Sequence, residues 1–232
     1  TFICKDSLIK TGSTTLVINI SKAVIDSSVA GQYRGIYIKS CEYIEAGFEV
    51  GSTIGGNYCR EAYSLKGTNA LGTSFVVPAQ KNAGWDNVAG YTASLHVISA
   101  QNGNNITIQP PSGAPVNITL NAGQTYTYNS SSSTDHLAGA TVVSTNGRKL
   151  AVTYSDEAVT VVYSTSPSII SYDNLGDQLV PVSVFGKEYI VHRGRAAISP
   201  NQGNPISDGS FSGELAFIVS PQAGTVITVN GV

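Results

Sequence analysis

Apolar and polar residues alternate with a period of two through most of the chain, a pattern typical of β-strands that bury one face. Leu16, Ile18 and Ile20, for example, share one face of the segment 14–20. Val, Ile, Thr and Tyr, which suit a pleated surface, dominate these segments. No comparable helical period of 3.6 residues is found, so the predicted fold class is all-β. The predicted strands are 14–20, 35–40, 73–78, 94–99, 105–109, 116–120, 124–129, 140–145, 149–155, 159–164, 188–192, 214–220 and 225–229.

Two Asn-Gly pairs, Asn102-Gly103 and Asn146-Gly147, each separate two alternating segments. Both residue types accept the positive φ of a tight turn, and Asn-Gly between alternating segments is the strongest short-range signal for a β-hairpin. We therefore predict that each pair joins two neighbouring strands of one sheet.

An internal repeat indicates a duplicated β unit, because residues 96–108 align without gaps with residues 217–229. The first copy continues into further strands, whereas the second is followed by nothing comparable. We predict antiparallel β-sandwiches built from an internal duplication, with an incomplete C-terminal unit. Its open edge would be formed by Val226, Ile227 and Val229. The predicted regions are an N-terminal strand segment with a cysteine-containing β region at 1–66, a first β unit at 67–176 and a second, incomplete unit at 177–232.

Composition excludes two classes of partner. Charged residues make up 12 % of the chain and the formal net charge is −2, so the protein lacks the basic surface that nucleic-acid binding requires. No apolar run reaches the ~18 residues of a membrane-spanning helix, so membrane insertion is not expected. The abundance of Gly, Ser, Thr and Asn is typical of extracellular all-β proteins, and we predict an extracellular or cell-surface location.

Motifs for catalysis or for binding metals and cofactors are missing. The sequence contains no HExxH, no paired CxxC and no phosphate-binding loop. Residues 209–213 have Phe211 where the G-x-S-x-G motif has its nucleophile. We expect no enzymatic activity, no catalytic residue, no metal and no cofactor.

The histidines and carboxylates have structural explanations. We expect His96 to be a surface or hydrogen-bonded strand residue, and Asp135-His136 to lie in an exposed loop. Asp156 and Glu157 are adjacent on a strand, so their side chains point to opposite faces and do not form an acid/base pair.

The carboxylates and the amide at residues 173–177 allow two interpretations. Asp173, Asn174 and Asp177 could supply oxygen ligands to Ca²⁺, but the alternation of a calcium-binding loop is absent. We assign them to turn capping.

Cysteine pairing and glycosylation are open at the level of sequence. We expect a local disulfide between Cys41 and Cys59 with Cys4 left over; the alternative is three reduced, buried thiols. Candidate glycosylation sites are the N-x-[ST] residues Asn19, Asn105, Asn117 and Asn129, together with Ser7 in a short O-glycosylation pattern.

Five sequence blocks occur in the order found in one family. Together the blocks resemble the IgGFc-binding-protein N-terminal domain family, bacterial surface-protein branch, over about residues 60–232. The resemblance implies a β-rich extracellular module of secreted mucin-associated proteins and large bacterial surface proteins, without catalytic residues. The chain lacks the cysteines of animal members between Ser155 and Asp177, which weakens a transfer of immunoglobulin binding. The blocks are GTNALGTSFVVP (67–78), SLHVISAQNGNNITI (94–108), LNAGQTYTY (120–128), LAGATVVS (137–144) and DQLVPVSVFGKEYIV (177–191).

We consider three functions. The first is a structural subunit of an extracellular fibre that binds other copies of itself head-to-tail by β-strand addition, with Leu16, Ile18 and Ile20 as donor-strand anchors. The second is an adhesin or binding module for a glycoprotein (immunoglobulin- or mucin-like) or a glycan, using the tyrosines at 125–128 and the loop around Trp85. The third is a glycan-cleaving enzyme, which would need two apposed carboxylates.

Overall fold

The structure is a computed structural model and describes residues 30–54, 57–80, 92–132, 135–162, 170–191 and 216–228. Its described residues form ten β-strands and two short 3₁₀ turns, at Gly67–Ala70 and Val182–Val184, and no α-helix. The strands are β1 (Gly47–Ile54), β2 (Asn57–Ser64), β3 (Ser74–Val76), β4 (Ala93–Ser99), β5 (Asn104–Gln109), β6 (Val116–Leu120), β7 (Thr125–Asn129), β8 (Thr141–Ser144), β9 (Leu150–Val162) and β10 (Ile170–Gln178).

Two four-stranded antiparallel sheets enclose the hydrophobic core. The first sheet has the order β10-β9-β4-β7 and the second the order β3-β8-β5-β6. Alternation explains how each strand contributes: Leu95 and Val97 on β4, and Ile106 and Ile108 on β5, are buried in one common core. The predicted all-β antiparallel sandwich is therefore confirmed.

Both Asn-Gly turns connect the two sheets. Asn102-Gly103 leads from β4 of the first sheet to β5 of the second, and Asn146-Gly147 leads from β8 of the second sheet to β9 of the first. The predicted positive φ is present, at +62° in Gly103 and +72° in Gly147. The prediction of two hairpins is wrong, because β4 pairs with β7 and β9 whereas β5 pairs with β6 and β8.

The side chain of Asn104 ties these two turns together. Asn104 has no solvent-exposed surface. Its Nδ2 donates to Ser99 Oγ at 3.1 Å and to the Arg148 carbonyl at 3.2 Å, and its Oδ1 accepts from the Ser144 hydroxyl at 2.8 Å. Residues from both sheets thus share one buried amide, which fixes the end of the sandwich where the chain crosses twice.

A separate hairpin, β1–β2, packs against β10 of the first sheet. The close approach depends on Gly176, because a Cβ there would lie 3.4 Å from Tyr63 Cε1. Lys66, just after the hairpin, donates from its backbone N–H to Gln178 Oε1 at 2.6 Å and forms an ion pair with Asp177. The hairpin is therefore fastened to the outer edge of the sandwich.

Most strands of the first unit were predicted near their observed positions. The predictions at 73–78, 94–99, 105–109, 116–120, 124–129 and 140–145 are confirmed, and the prediction at 149–155 and the described part of that at 159–164 belong to the single strand β9. Residues 35–40, 188–191, 216–220 and 225–228 are irregular, so strands predicted there are wrong. The predicted strand 14–20 lies outside the described residues.

The second copy of the repeat retains the turn of the first but not its strands. Ser220 Oγ accepts from the Gln222 N–H at 3.1 Å, as Ser99 Oγ accepts from the Gln101 N–H at 3.3 Å, and Gly224 also has a positive φ. Residues 216–228 contain no strand, however. Val226 and Ile227 are exposed and belong to no sheet of the described residues, so the predicted open edge at these positions stays a prediction. Val229 lies outside the described residues.

Gly72 provides a stability test of the seam between the sheets. Its N–H and C=O both pair with Leu150, and a Cβ would lie 2.1 Å from Pro181 Cβ. We expect Gly72→Ala to lower the free energy of unfolding by about 1–3 kcal/mol, as overpacking does. Urea denaturation measures the change, with Gly47→Ala as control because its nearest contact would be at 3.8 Å. Equal effects of the two substitutions would contradict this packing.

Candidate binding surface

An uncharged polar surface covers the outer side of the second sheet. Strands β5 and β6 and the residue after β8 place there five side chains that we call the Asn/Thr face. It has a shallow depression of about 260 Å³, which Ile106 and Ile118 also line. The Asn/Thr face consists of Asn105, Thr107, Asn117, Thr119 and Thr145. Four of the five are exposed and Thr107 is half-buried, so the surface is open to a partner.

Two identical Asn-Ile-Thr motifs make up most of this face. They lie on neighbouring antiparallel strands, so that Asn105 is opposite Thr119 and Thr107 is opposite Asn117. The Thr107 hydroxyl donates to Asn117 Oδ1 at 2.6 Å, and the Thr119 hydroxyl donates to Asn105 Oδ1 at 3.0 Å. The pairing is reciprocal because the two motifs run in opposite directions.

The reciprocal pairing fixes what the face offers to a ligand. Since each amide oxygen accepts from a threonine, each amide group is held in one orientation and its NH₂ remains available as a donor. Both threonine oxygens can still accept a hydrogen bond. The surface therefore suits neutral ligands with hydroxyl and carbonyl groups.

The predicted glycosylation sites are placed as follows. Asn105, Asn117 and Asn129 are all exposed strand residues, and Asn129 Oδ1 accepts from the Ser94 hydroxyl at 2.8 Å. Ser7 and Asn19 lie outside the described residues. Glycosylation at these five positions stays a prediction.

His96 is a hydrogen-bonded strand histidine, as expected. It is half-buried on the outer side of the first sheet. Its Nδ1 lies 3.1 Å from Thr127 Oγ1 and its Nε2 lies 3.0 Å from Ser155 Oγ. Both ring nitrogens have protein neighbours, which explains the residue without a catalytic role.

His136 is buried, and the prediction that it lies in an exposed loop is wrong. It is only 3 % exposed because its ring points inward to Asp156, which is also 3 % exposed, with Nδ1 2.5 Å from Oδ2. The Tyr154 hydroxyl donates to the same carboxylate oxygen at 2.8 Å and lies 3.0 Å from the His136 carbonyl. Asp135 instead accepts from the Leu137 N–H at 3.0 Å. This cluster has the groups of a catalytic site but no access for a substrate, so it stabilises the fold.

The other side chains that the sequence offered for acid/base chemistry or calcium binding lie in strands β9 and β10. Glu157 is exposed on the face opposite Asp156, as predicted. Asn174 is buried at a β-bulge of β10, and Asp177 pairs with Lys66, so the assignment of residues 173–177 to a turn is wrong. Among the described residues, no three His, Cys, Asp or Glu side chains could jointly hold a metal ion.

Cys41 is exposed and has a free thiol. The predicted Cys41–Cys59 disulfide is therefore not formed in this structure: Cys41 lies in the irregular segment before β1, whereas Cys59 lies in β2 opposite Ser52. Cys4 lies outside the described residues.

The aromatic contact surface suggested by the sequence is not formed by β7. Tyr126 and Tyr128 pack against the hydrophobic core and are half-buried. Trp85 lies outside the described residues.

The described residues include no helix that is both long and apolar enough to cross a membrane.

Large apolar side chains are exposed in three segments outside the β-strands, at 36–44, 184–191 and 218–227. The exposed large apolar residues are Ile36, Tyr37, Ile38, Tyr43, Ile44, Val184, Tyr189, Ile190, Val191, Ile218, Val226 and Ile227.

Sequence reasoning missed the pairing on this face and one buried residue. The repeated Asn-Ile-Thr was visible as two glycosylation motifs, but its cross-strand pairing depends on the register of β5 and β6. The buried role of Asn104 had no local signal beyond a polar residue at a core position of an alternating segment.

Comparison with known proteins gives one match. A family model described as IgGFc binding protein matches residues 61–232, which contain both sheets of the sandwich. No curated protein and no solved structure matched the chain.

Tyr154, which is buried, and Tyr63, which is half-buried, predict a loss of stability in alkali. Burial, reinforced by the Asp156 carboxylate, raises the pKa of Tyr154 well above its ordinary value, and burial with Asp177 raises the pKa of Tyr63 to about 12. The folded state therefore keeps protons that the unfolded chain releases above pH ~10, and the free energy of unfolding should fall from there by about 1.4 kcal/mol per pH unit for each tyrosine. Below pH ~10 both tyrosines are protonated in the folded and the unfolded state, and their contribution to the free energy of unfolding is fully present.

Tyr154→Phe tests this assignment by urea denaturation across alkaline pH. The variant should lose about 1–3 kcal/mol at neutral pH, because Asp156 loses a hydrogen-bond donor, and its stability should fall less steeply in alkali. Tyr43→Phe is the control, since Tyr43 is fully exposed. A slope unchanged by Tyr154→Phe would contradict the assignment.

Proposed function

Because the chain belongs to the IgGFc-binding protein family, we propose that it is a non-enzymatic extracellular binding module that recognises a glycoprotein, as an adhesin does. The expected partner class is a glycan-bearing protein of immunoglobulin or mucin type. The family match supports recognition of this general kind, and the remaining argument concerns the surface that performs it.

The observation that carries the proposal is the reciprocal pairing on the Asn/Thr face. Carbohydrate hydroxyls both donate and accept hydrogen bonds, and the oriented amides and threonine oxygens offer both functions side by side. The absence of charge from the five side chains suits a neutral saccharide rather than an ionic ligand.

The scaffold beneath the face supports binding because it is rigid. β5 is flanked by β6 on one side and β8 on the other, and its inward side chains Ile106 and Ile108 are buried in the core. A ligand therefore loses little free energy to ordering the protein when it binds.

Substitutions at the centre of the face test this function. Asn105→Ala combined with Thr107→Val removes one amide and the hydroxyl that orients Asn117. We expect the full chain to bind immobilised mucin or immunoglobulin G, and the double variant to bind at least about tenfold more weakly, since two hydrogen bonds are lost. Surface-based binding measurements with native and enzymatically deglycosylated ligands provide the readout.

The control is Thr141→Val, which makes the same threonine-to-valine change on the same side of the second sheet, on β8, but outside the depression. It should leave the affinity unchanged. Binding that survives the double variant, or that is insensitive to deglycosylation, would contradict the proposed surface.

A fibre subunit assembled by strand addition is the second candidate function. The observation in its favour is the exposure of Val226 at 88 % and Ile227 at 50 % in a segment with strand-like alternation. Burial of such side chains beside a strand from another copy would contribute ~1.5–3 kcal/mol each. The proposed donor, residues 14–20 with Leu16, Ile18 and Ile20 as anchors, lies outside the described residues.

Negative-stain electron microscopy tests this candidate. Deleting residues 1–20 should abolish fibres and leave a folded remainder. Ile18→Asp should weaken assembly far more than Asn19→Asp, because alternate residues of a strand face opposite ways. Fibres that persist after the deletion, or equal effects of the two substitutions, would refute the donor assignment.

A further inference from the structure

The four edge strands of the two sheets differ in how they are protected from pairing with other chains. β10 packs against β2 and carries the charged Asp177, and one end of β7 is paired with Gln32. β3 has only three residues and contacts the 3₁₀ turn Val182–Val184. Charges, covering segments and shortness are the usual ways in which proteins protect sheet edges.

Among the residues that the structure describes, β6 has none of these protections. Its sequence, Val-Asn-Ile-Thr-Leu, has no charge and no proline. It pairs with β5 on one side only. A five-residue, β-branched, uncharged edge is a template for strand pairing.

The direction of the open backbone groups follows from the neighbouring strands. The Thr145 N–H donates to the Asn105 carbonyl at 2.8 Å, so the backbone groups of Asn105 face β8. Because these groups alternate sides along a strand, those of Ile106 and Ile118 face each other. The backbone N–H and C=O groups of Asn117 and Thr119 consequently point away from the sheet.

We propose that β6 is a dimerisation edge, which pairs antiparallel with β6 of a second copy of the chain. The Asn-Ile-Thr motif already pairs with itself between β5 and β6. The same register between two copies of β6 sets Asn117 opposite Thr119, Ile118 opposite Ile118 and Val116 opposite Leu120. Each Asn-Ile-Thr motif of β6 then has the same residue types opposite it in the second copy as it has in β5 of its own chain.

This register satisfies the open groups of both copies. Asn117 exchanges N–H and C=O bonds with Thr119 of the second copy, and its outward amide lies beside that threonine's hydroxyl. Val116 and Ile118, which are half-buried at the margin of the core, become covered. The preference for a second copy over an unrelated peptide rests on this self-complementarity.

The contact is isologous and therefore closed, which gives a dimer rather than a fibre. Five residues per copy bury much less than the ~1,600 Å² of a standard interface, so the dimer is reversible. Its formation does not depend on the proposed glycoprotein binding, although it would join the Asn/Thr faces of two copies into one continuous surface.

Sedimentation velocity of the full chain over about a hundredfold range of concentration tests the proposal. The unsubstituted chain should show a monomer–dimer equilibrium. Asn117→Lys with Thr119→Lys should weaken dimerisation at least about tenfold, because each lysine then faces a lysine of the other copy. The control, Asn105→Lys with Thr107→Lys, removes the same reciprocal hydrogen bonds and adds the same charge one strand away from the edge. It should retain the dimer.

Two further measurements distinguish loss of the edge contact from misfolding of the variants. Mixing the lysine pair with Asn117→Glu, Thr119→Glu should restore association as a heterodimer, which only correctly folded edges can form. Thr119→Pro removes an N–H that points away from the sheet, so it should prevent dimerisation while leaving the β5–β6 ladder and the circular dichroism spectrum intact.

A chain that stays monomeric over the whole range would overturn the proposal. So would a dimer that tolerates the lysine pair at the edge, or one that both lysine pairs weaken equally. If the control pair loses glycoprotein binding but still dimerises, the result bears on the Asn/Thr face alone. The two proposals can therefore fail separately.

Discussion

The buried amide of Asn104 is the interaction on which the sandwich depends. The chain passes between the sheets at two adjacent turns, and every polar group that it buries there needs a partner. Asn104 supplies donors to Ser99 of the first sheet and to the carbonyl of Arg148, and an acceptor to Ser144 of the second sheet. Replacing it with an apolar residue would leave several groups from both turns without partners in a site that water does not reach. One side chain thus sets how the two sheets meet.

This constraint also positions the Asn/Thr face. Asn104 is the first residue of β5, so the amide that joins the turns also fixes the start of the strand carrying Asn105 and Thr107. From there the alternation of β5 directs Ile106 inward and its polar neighbours outward. Core, register and surface are consequently determined by the same short segment. A ligand-binding surface built on such a segment is held by the fold rather than by loop conformation.

Strand positions could be predicted from the sequence because period-two alternation is local, whereas strand partners could not. An Asn-Gly pair signals a reversal of the chain, but both sheets of a sandwich can receive the reversed strand. β10 was missed because its bulge between Asp173 and Leu175 shifts the alternation out of phase. The burial of His136 depends on Asp156, twenty residues away on another element, so no local pattern shows it. The composition of the Asn/Thr face was readable as two Asn-Ile-Thr motifs; their apposition required the register.

The two crossings between the sheets have a consequence for how the chain reaches its native state. β4 has β7 and β9 as neighbours, and β5 has β6 and β8, so the strands of the two sheets are interleaved along the chain. During synthesis from the N-terminus, β4 emerges before either of its neighbours exists. Its ladder with β9 forms only after residues 150–156 have left the ribosome. The second sheet has all its strands once Ser144 has emerged, whereas the first sheet still lacks β9 and β10 at that point; a truncation within 93–140 deprives both sheets of strands at once.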